Sequence, residues 1–260
     1  MITLLPTFVL LITLLFLLWI VSLALKDASI VDIFWGFGFV VVAWYCCFRT
    51  DGAESRRLLI TALTTIWGLR LTIYLFWRNH GKGEDYRYQS MRARVGKNFP
   101  FISLFLVFGL QGVLIWLISF SIQAAQVARV PNHLTWLDLT GAALWLIGLT
   151  FETVGDWQLA RFKADANNQG KVMNRGLWAY TRHPNYFGDA LLWWGLFLIA
   201  LATSPGWWVI ISPILMTTLL MKVSGVALLE RTLAQTKPGY EDYVRRTNAF
   251  IPWFPKSDFK

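Results

Sequence analysis

The feature that most constrains this chain is the recurrence of apolar runs about twenty residues long, separated by short, basic connections. A helix of that length reaches across a bilayer's hydrocarbon core, because each residue rises about 1.5 Å and the core is about 30 Å thick. Helices and closed barrels alone satisfy their backbone polar groups there. Seven runs can be read, at roughly 2–25, 28–48, 57–77, 100–128, 136–157, 186–203 and 205–228. The expectation is therefore an all-α, polytopic membrane protein with about seven transmembrane helices, forming one integral membrane domain over 1–260. Composition agrees: 56% of residues are hydrophobic and 15% charged, too apolar a balance for an ordinary soluble domain. The fifteen Trp suit side chains placed at membrane interfaces. The first run lacks a basic start and passes through Lys26-Asp27 straight into the second, so it reads as a helix rather than a signal peptide.

The net charge of +9 resides in the connections. Eighteen Lys and Arg lie at Lys26, in 78–99, in 158–185 and in the C-terminal tail, against four (Arg49, Arg56, Arg57 and Arg129) on the opposite side. By the positive-inside rule the loaded side is cytoplasmic, which puts the N-terminus outside and the tail inside. A bacterial inner membrane is the expected location. Nucleic acid has no motif behind it, only charge. The three His, at 80, 133 and 183, lack metal-ligand spacing, and the adjacent Cys46 and Cys47 are poor material for a disulfide or a metal site. A Gly-rich fingerprint between strand and helix is missing, so a nicotinamide site would not be of the Rossmann type.

Ionisable groups within spans cost enough to be functional candidates. Asp32 lies in SIVDIFWGFGF and Arg70 in the third run, and these two would either pair as a bundle staple or serve chemistry. Glu152 and Asp156 share one helix face at i and i+4. Asp189 falls early in the sixth run, and Lys222 and Glu230 late in the seventh; Lys222 can snorkel to the interface.

The most informative segment is Gly176-Leu177-Trp178-Ala179-Tyr180-Thr181-Arg182-His183-Pro184-Asn185-Tyr186-Phe187-Gly188-Asp189. Pro184 favours an extended His183 and is acceptable in the first turn of the helix that follows. The free N–H groups of such a helix start, with Arg182, His183 and Asn185 around them, can receive an anion. Trp178 and Tyr180 offer aromatic faces to a flat ring. A phosphate-bearing nucleotide needs these features together.

This run resembles the C-terminal domain of the steroid 5α-reductases and their bacterial membrane relatives. The tail from Lys237-Pro238-Gly239-Tyr240 to Ile251-Pro252-Trp253 continues the resemblance, as does Gly83-Glu84-Asp85-Tyr86-Arg87-Tyr88, and the likeness is most specific over 150–254. It implies a seven-helix reductase that binds NADPH from the cytoplasmic side and takes a lipid-like substrate from the membrane. By position it assigns Asp156 to the cofactor from the fifth helix, and Asn185, Asp189 and Trp193 to the nicotinamide side from the sixth. Arg175, Tyr180, Arg182 and His183 in the loop, with Glu230 and Arg231 after the last helix, complete the implied cofactor set. The implied reaction moves a hydride from NADPH to the β-carbon of an α,β-unsaturated carbonyl, with a donor stabilising the developing oxyanion.

For that donor Asp32 matches the position of the family's carboxylate. The family's neighbouring Tyr on the third helix is replaced here by Trp67, whose indole N–H can donate a hydrogen bond but not give up its proton as a phenol does. Either Tyr74 substitutes from one or two turns along the same helix, or the substrate differs. Residues 229–254 are expected to fold over the cofactor rather than lie on the membrane surface. Two other classes compete. Membrane carboxyl methyltransferases using S-adenosylmethionine carry a similar Arg-His-Pro run. A transporter or non-catalytic scaffold would show paired, interrupted helices in repeated halves, and the chain has no such internal symmetry.

Overall fold

The computed structural model describes residues 3–204, 206–223, 226, 230, 233 and 235–256. Among these residues the fold is helical throughout, without strands. The elements are α1 (Leu4–Leu25), α2 (Ile30–Arg49), α3 (Glu54–Asn79), α4 (Tyr86–Val95), α5 (99–118), α6 (Phe120–Val127), α7 (Trp136–Ala164), α8 (Pro184–Leu201), α9 (Ile211–Thr218) and α10 (Tyr240–Arg246). Within α5 the stretch Leu104–Gly109 is π-helical. Among the described residues, five helices are long and apolar enough to cross a membrane: α1, α2, α3, the Tyr86–Ile118 run and α7. They correspond to the first five apolar runs. The other two runs form the 18-residue α8, which starts at Pro184, and a shorter apolar stretch, Trp207–Lys222, built of 3-10, α and π pieces.

The chain divides into two compact units: Met1–Asp138 with Ile199–Ser212, and Leu139–Leu198 with Pro213–Lys260. In the first, α2 and α3 pair closely because glycines face each other. A Cβ added at Gly68 would lie 2.5 Å from the Gly36 carbonyl oxygen, so any side chain there would push the helices apart. Trp67 is wholly buried next to this contact and packs its ring against Phe39 at 5.5 Å. Polar side chains on α6 tie that helix to its neighbours: the Gln126 amide donates to the Ala43 carbonyl and accepts from Thr61, while Thr50 donates to the Gln126 carbonyl. Between spans such bonds hold helices together where lipid supplies no hydrophobic drive.

A second tie in this unit is electrostatic. Arg56 is fully buried, and its guanidinium reaches Asp138 at 2.7 and 2.9 Å and the carbonyls of Pro131 and His133 at 2.9 Å each. A buried cation is tolerable only with its charge matched and its donors used. Asp138 is held in turn by the Thr135 N–H and hydroxyl.

The second unit is organised by α7 and α8. Gly141, Gly148 and Gly155 recur every seven residues on α7, and Gly188 and Gly195 do so on α8. A seven-residue period keeps positions near one helix face. A Cβ at Gly148 would lie 2.5 Å from the Gly188 oxygen, and one at Gly195 would lie 2.5 Å from the Gly141 oxygen. At Gly155 it would meet the Asn185 nitrogen at 3.2 Å. The pairings Gly141–Gly195, Gly148–Gly188 and Gly155–Asn185 run in opposite senses along the two helices, so α7 and α8 are antiparallel and touch backbone to backbone. Gly148→Val should therefore destabilise the detergent-purified protein by about 2 kcal/mol or more, the usual scale of overpacking. Ala143→Val, on an exposed position of the same helix, should cost a few tenths of a kcal/mol; thermal unfolding of the two variants side by side measures the difference.

Candidate functional site

Close approach of α7 and α8 brings a polar group of residues together. Glu152 and Asp156 from α7 are 3% and 5% exposed. The Asn185 amide nitrogen, in the first turn of α8, donates to Asp156 Oδ1 at 3.0 Å. The other end of that amide, Oδ1, is buried and, among the described residues, accepts no hydrogen bond. Asn185, Asp189 and Trp193 follow at four-residue intervals and so form one stripe along α8, with Trp193 fully buried.

The loop before α8 is held on the same framework. Leu177 N–H donates to the Gln158 side chain at 3.0 Å, and the Trp178 indole donates to the Gly155 carbonyl at 3.0 Å. Trp178 is thus a buried bracket, whereas Tyr180 and Arg175 are exposed.

The tail closes on this loop. Arg182 Nε donates to Glu230 at 2.8 Å, and its Nη1 donates to the Thr247 and Val244 carbonyls at 2.6 and 3.2 Å. Its backbone N–H donates to Asn248 O. The Tyr243 hydroxyl, from α10, donates to the Trp178 carbonyl at 2.5 Å; Thr181 donates to Phe250 O at 2.8 Å; Trp253 N–H donates to Tyr180 O at 2.9 Å. His183 Nε2 lies 3.1 Å from the same Glu230 oxygen, and its ring stacks on Tyr186 with centroids 5.6 Å apart. Arg182 and His183 thus engage Glu230 and the tail. Burial by itself would raise the Glu230 carboxyl, but hydrogen bonds from His183 and Arg182 and the Arg182 charge outweigh it and hold the group at about 2. Arg231 lies outside the described residues.

In the first unit, Asp32 sits in the first turn of α2. Arg87 Nη2 donates to its Oδ2 at 2.6 Å and the Tyr88 hydroxyl to its Oδ1 at 2.8 Å, both from α4. Arg87 also holds Asp85, the N-cap of that helix, at 2.9 Å. These partners stand where Arg70 was expected. Arg70 lies over the Tyr74 ring at 5.3 Å, and Arg78 lies 5.8 Å from the same ring. Tyr88 is the residue that sequence reasoning missed. Its signal was the Gly83–Tyr88 segment, marked as a likeness but left without a role.

Helices of membrane-spanning length, with a buried carboxylate–amide group under a laced loop in the second unit, define the class: an all-helical protein built to cross a membrane. The family described as "Protein of unknown function (DUF1295)" matches residues 18–247, and the chain belongs to it. An uncharacterized protein of Schizosaccharomyces pombe is 26% identical over 90% of this chain and 75% of its own length. The 3-oxo-5-alpha-steroid 4-dehydrogenase 1 of Bos taurus is 35% identical over 28% of this chain and 29% of its own. The Mus musculus enzyme of the same name is 31% identical over 38% of each. The matches to these two enzymes span well under half of their length. No solved structure matches.

The Glu230 clasp has a pH signature. A carboxyl depressed from 4.5 to about 2 contributes stability that is fully present above pH 4.5 and is lost as pH falls towards 2. Discounted for partial exposure, the contribution is on the order of 2 kcal/mol. Glu230→Gln should lower the unfolding temperature at pH 7 and flatten its decline between pH 5 and pH 3 (about the carboxylate range), read by thermal unfolding across that range.

Proposed function

We propose that this chain is a membrane oxidoreductase that uses NADPH to reduce the C=C bond of an α,β-unsaturated carbonyl in a lipid-like substrate. The observation that carries the reading is the buried, unpartnered Oδ1 of Asn185 beside Asp156. A buried carbonyl oxygen without a donor is costly, and the carboxamide N–H₂ of a nicotinamide is a donor of the right kind. The surrounding set fits the rest of such a ligand. Asp156 and Asp189 can accept from ribose hydroxyls, Trp193 gives an apolar floor, and exposed Tyr180 and Arg175 suit a ring face and a phosphate. Arg182, His183 and Glu230 hold the loop in which those groups sit. The family membership and the partial likeness to 3-oxo-5-alpha-steroid 4-dehydrogenases support the same class.

When bound, the dihydronicotinamide supplies the hydride. The chain's own part is to hold the cofactor, keep water out and supply a proton equivalent where the substrate carbonyl gains charge. Asp32 and Tyr88 form the acid–phenol pair for that purpose. Arg87 and Tyr88 both donate to Asp32, so this carboxyl orients the Tyr88 hydroxyl, and the phenol is the proton donor of the pair once it turns from Asp32 to the substrate oxygen. Tyr74, between two guanidinium groups, is the second phenol on hand, and buried Trp67 sets the α2–α3 spacing that positions Asp32.

Unfolding of the detergent-purified protein should be delayed by NADPH, with Asn185→Ala abolishing the effect. A ligand at one hundred times its dissociation constant stabilises by about 2.7 kcal/mol. Stabilisation by S-adenosylmethionine alone would instead make the chain a methyltransferase, and none with NADPH, NADH or S-adenosylmethionine would leave a scaffold. Tyr88→Phe should keep the NADPH effect yet slow NADPH oxidation with a lipophilic enone by about 10²–10⁴-fold, the scale of losing a general acid.

A further inference from the structure

Between α3 and α5 the chain carries more positive charge than its own acids can use. Glu84 is bound by Arg92 at 2.7 Å and by the Ala28 N–H at 2.9 Å. Asp85 and Asp32 are both bound by Arg87. Asp27 caps the Ser29 N–H and hydroxyl. Two arginines thus serve the carboxylates of this end of the unit. Arg78, Lys82, Arg94 and Lys97 are all exposed, and among the described residues none of the four forms an ion pair.

The surface they occupy has a defined depth. Tyr88, Met91, Val95 and Phe99 pack on Leu15, Ala28, Val31 and Phe108, so one face of α4 is sewn to the ends of the long helices. The opposite face presents Gln89, Ser90, Ala93 and Arg94. Around it stand exposed aromatics, Phe76 and Trp77 at the end of α3, Tyr86 at the start of α4 and Phe101 at the start of α5. The Trp19 indole donates to Pro100 O at the same end. Aromatic side chains of this kind settle at the headgroup level of a bilayer. A helix held there by its apolar face, with Arg94 on the other and Arg78, Lys82 and Lys97 in the segments beside it, matches a negatively charged lipid surface.

We propose that the 78–97 segment is a docking site for anionic phospholipid headgroups, engaged through Arg78, Lys82, Arg94 and Lys97. The recognised group is a phosphodiester within the bilayer rather than a free phosphate, because the aromatic belt places the cations where lipid headgroups lie. Arg87 and Arg92 take no part, since their carboxylates already occupy them.

The test uses the full chain in nanodiscs of phosphatidylcholine alone or with about 30% phosphatidylglycerol, a strongly anionic surface. The anionic lipid should raise the unfolding temperature, and the rise should shrink in about 1 M salt, where the screening length falls to about 3 Å. Each cation near such a surface is worth about a factor of five in binding. Lys82→Gln/Arg94→Gln/Lys97→Gln should therefore weaken phosphatidylglycerol binding on the order of a hundredfold and remove most of the shift, while gel filtration shows it folded. Should that variant not fold, native mass spectrometry of the unaltered protein decides: enrichment of phosphatidylglycerol over phosphatidylcholine supports the site, and equal retention overturns it. Equal stability in both bilayers, a full shift in the variant, or the same shift from inorganic phosphate would also overturn it.

Discussion

Contact between the α7 and α8 backbones is the constraint from which the second unit follows. In lipid, helices gain little by burying apolar side chains against each other, since the surrounding tails are as apolar as the partner. Association rests instead on dense packing and polar contacts. Glycines at 141, 148, 188 and 195 remove the side chains that would hold the helices apart. With the axes that close, short side chains suffice to bridge them: the Asn185 amide reaches Asp156, and the Trp178 indole reaches the Gly155 carbonyl from the loop. The α2–α3 pair in the first unit uses the same device at Gly36 and Gly68. In each unit a glycine contact lies close in sequence to the residues assigned chemistry, Asp32 and Trp67 in one, Asn185 and Asp189 in the other.

The second recurring element is the matching of charges. Arg56 with Asp138, Arg87 with Asp32, and Arg182 with Glu230 each join segments distant in sequence, while Arg87 with Asp85 and Arg92 with Glu84 close the short 84–92 stretch on itself. Arginine dominates because its planar fork satisfies carboxylates and carbonyls together. Arg182 shows why this matters for the site. A guanidinium read from its motif as a receiver of anions is engaged by Glu230 and two tail carbonyls. It acts on a ligand through the loop it holds.

Much of the architecture was legible because bilayer thickness imposes a length on every apolar run, and α1 to α3 follow that length closely. The placement of the candidate residues on α8 was legible because Pro184 marks the helix start and puts Asn185 and Asp189 one turn apart. The partners of Asp32 were not. The search for them stayed within the spans and pointed to Arg70, whereas Arg87 and Tyr88 come from a short helix in a connection. Nothing local to a sequence says which loop residue folds back onto which helix end. The role of Trp178 was misjudged for a related reason: an aromatic ring next to polar residues reads as a ligand platform, yet its indole is consumed by Gly155. The seven-residue glycine spacing was in plain view, but hydropathy counts pass over small residues, and it is meaningful only once two helices are known to be neighbours.

The lacing of the tail to the loop has a consequence for the order in which the protein is completed. The Arg182 guanidinium waits for a carbonyl 65 residues further along the chain, and Thr181 for one 69 residues on. At about 5–20 residues per second of synthesis, the loop spends several seconds without the groups that hold it. During that interval α1, α2, α3, the Tyr86–Ile118 run and α7 have already been made, while the loop before α8 stands without the tail that laces it. The loop that leads into Asn185 is therefore fixed later than the helices of membrane-spanning length, by a segment that the ribosome has yet to deliver when the loop is made.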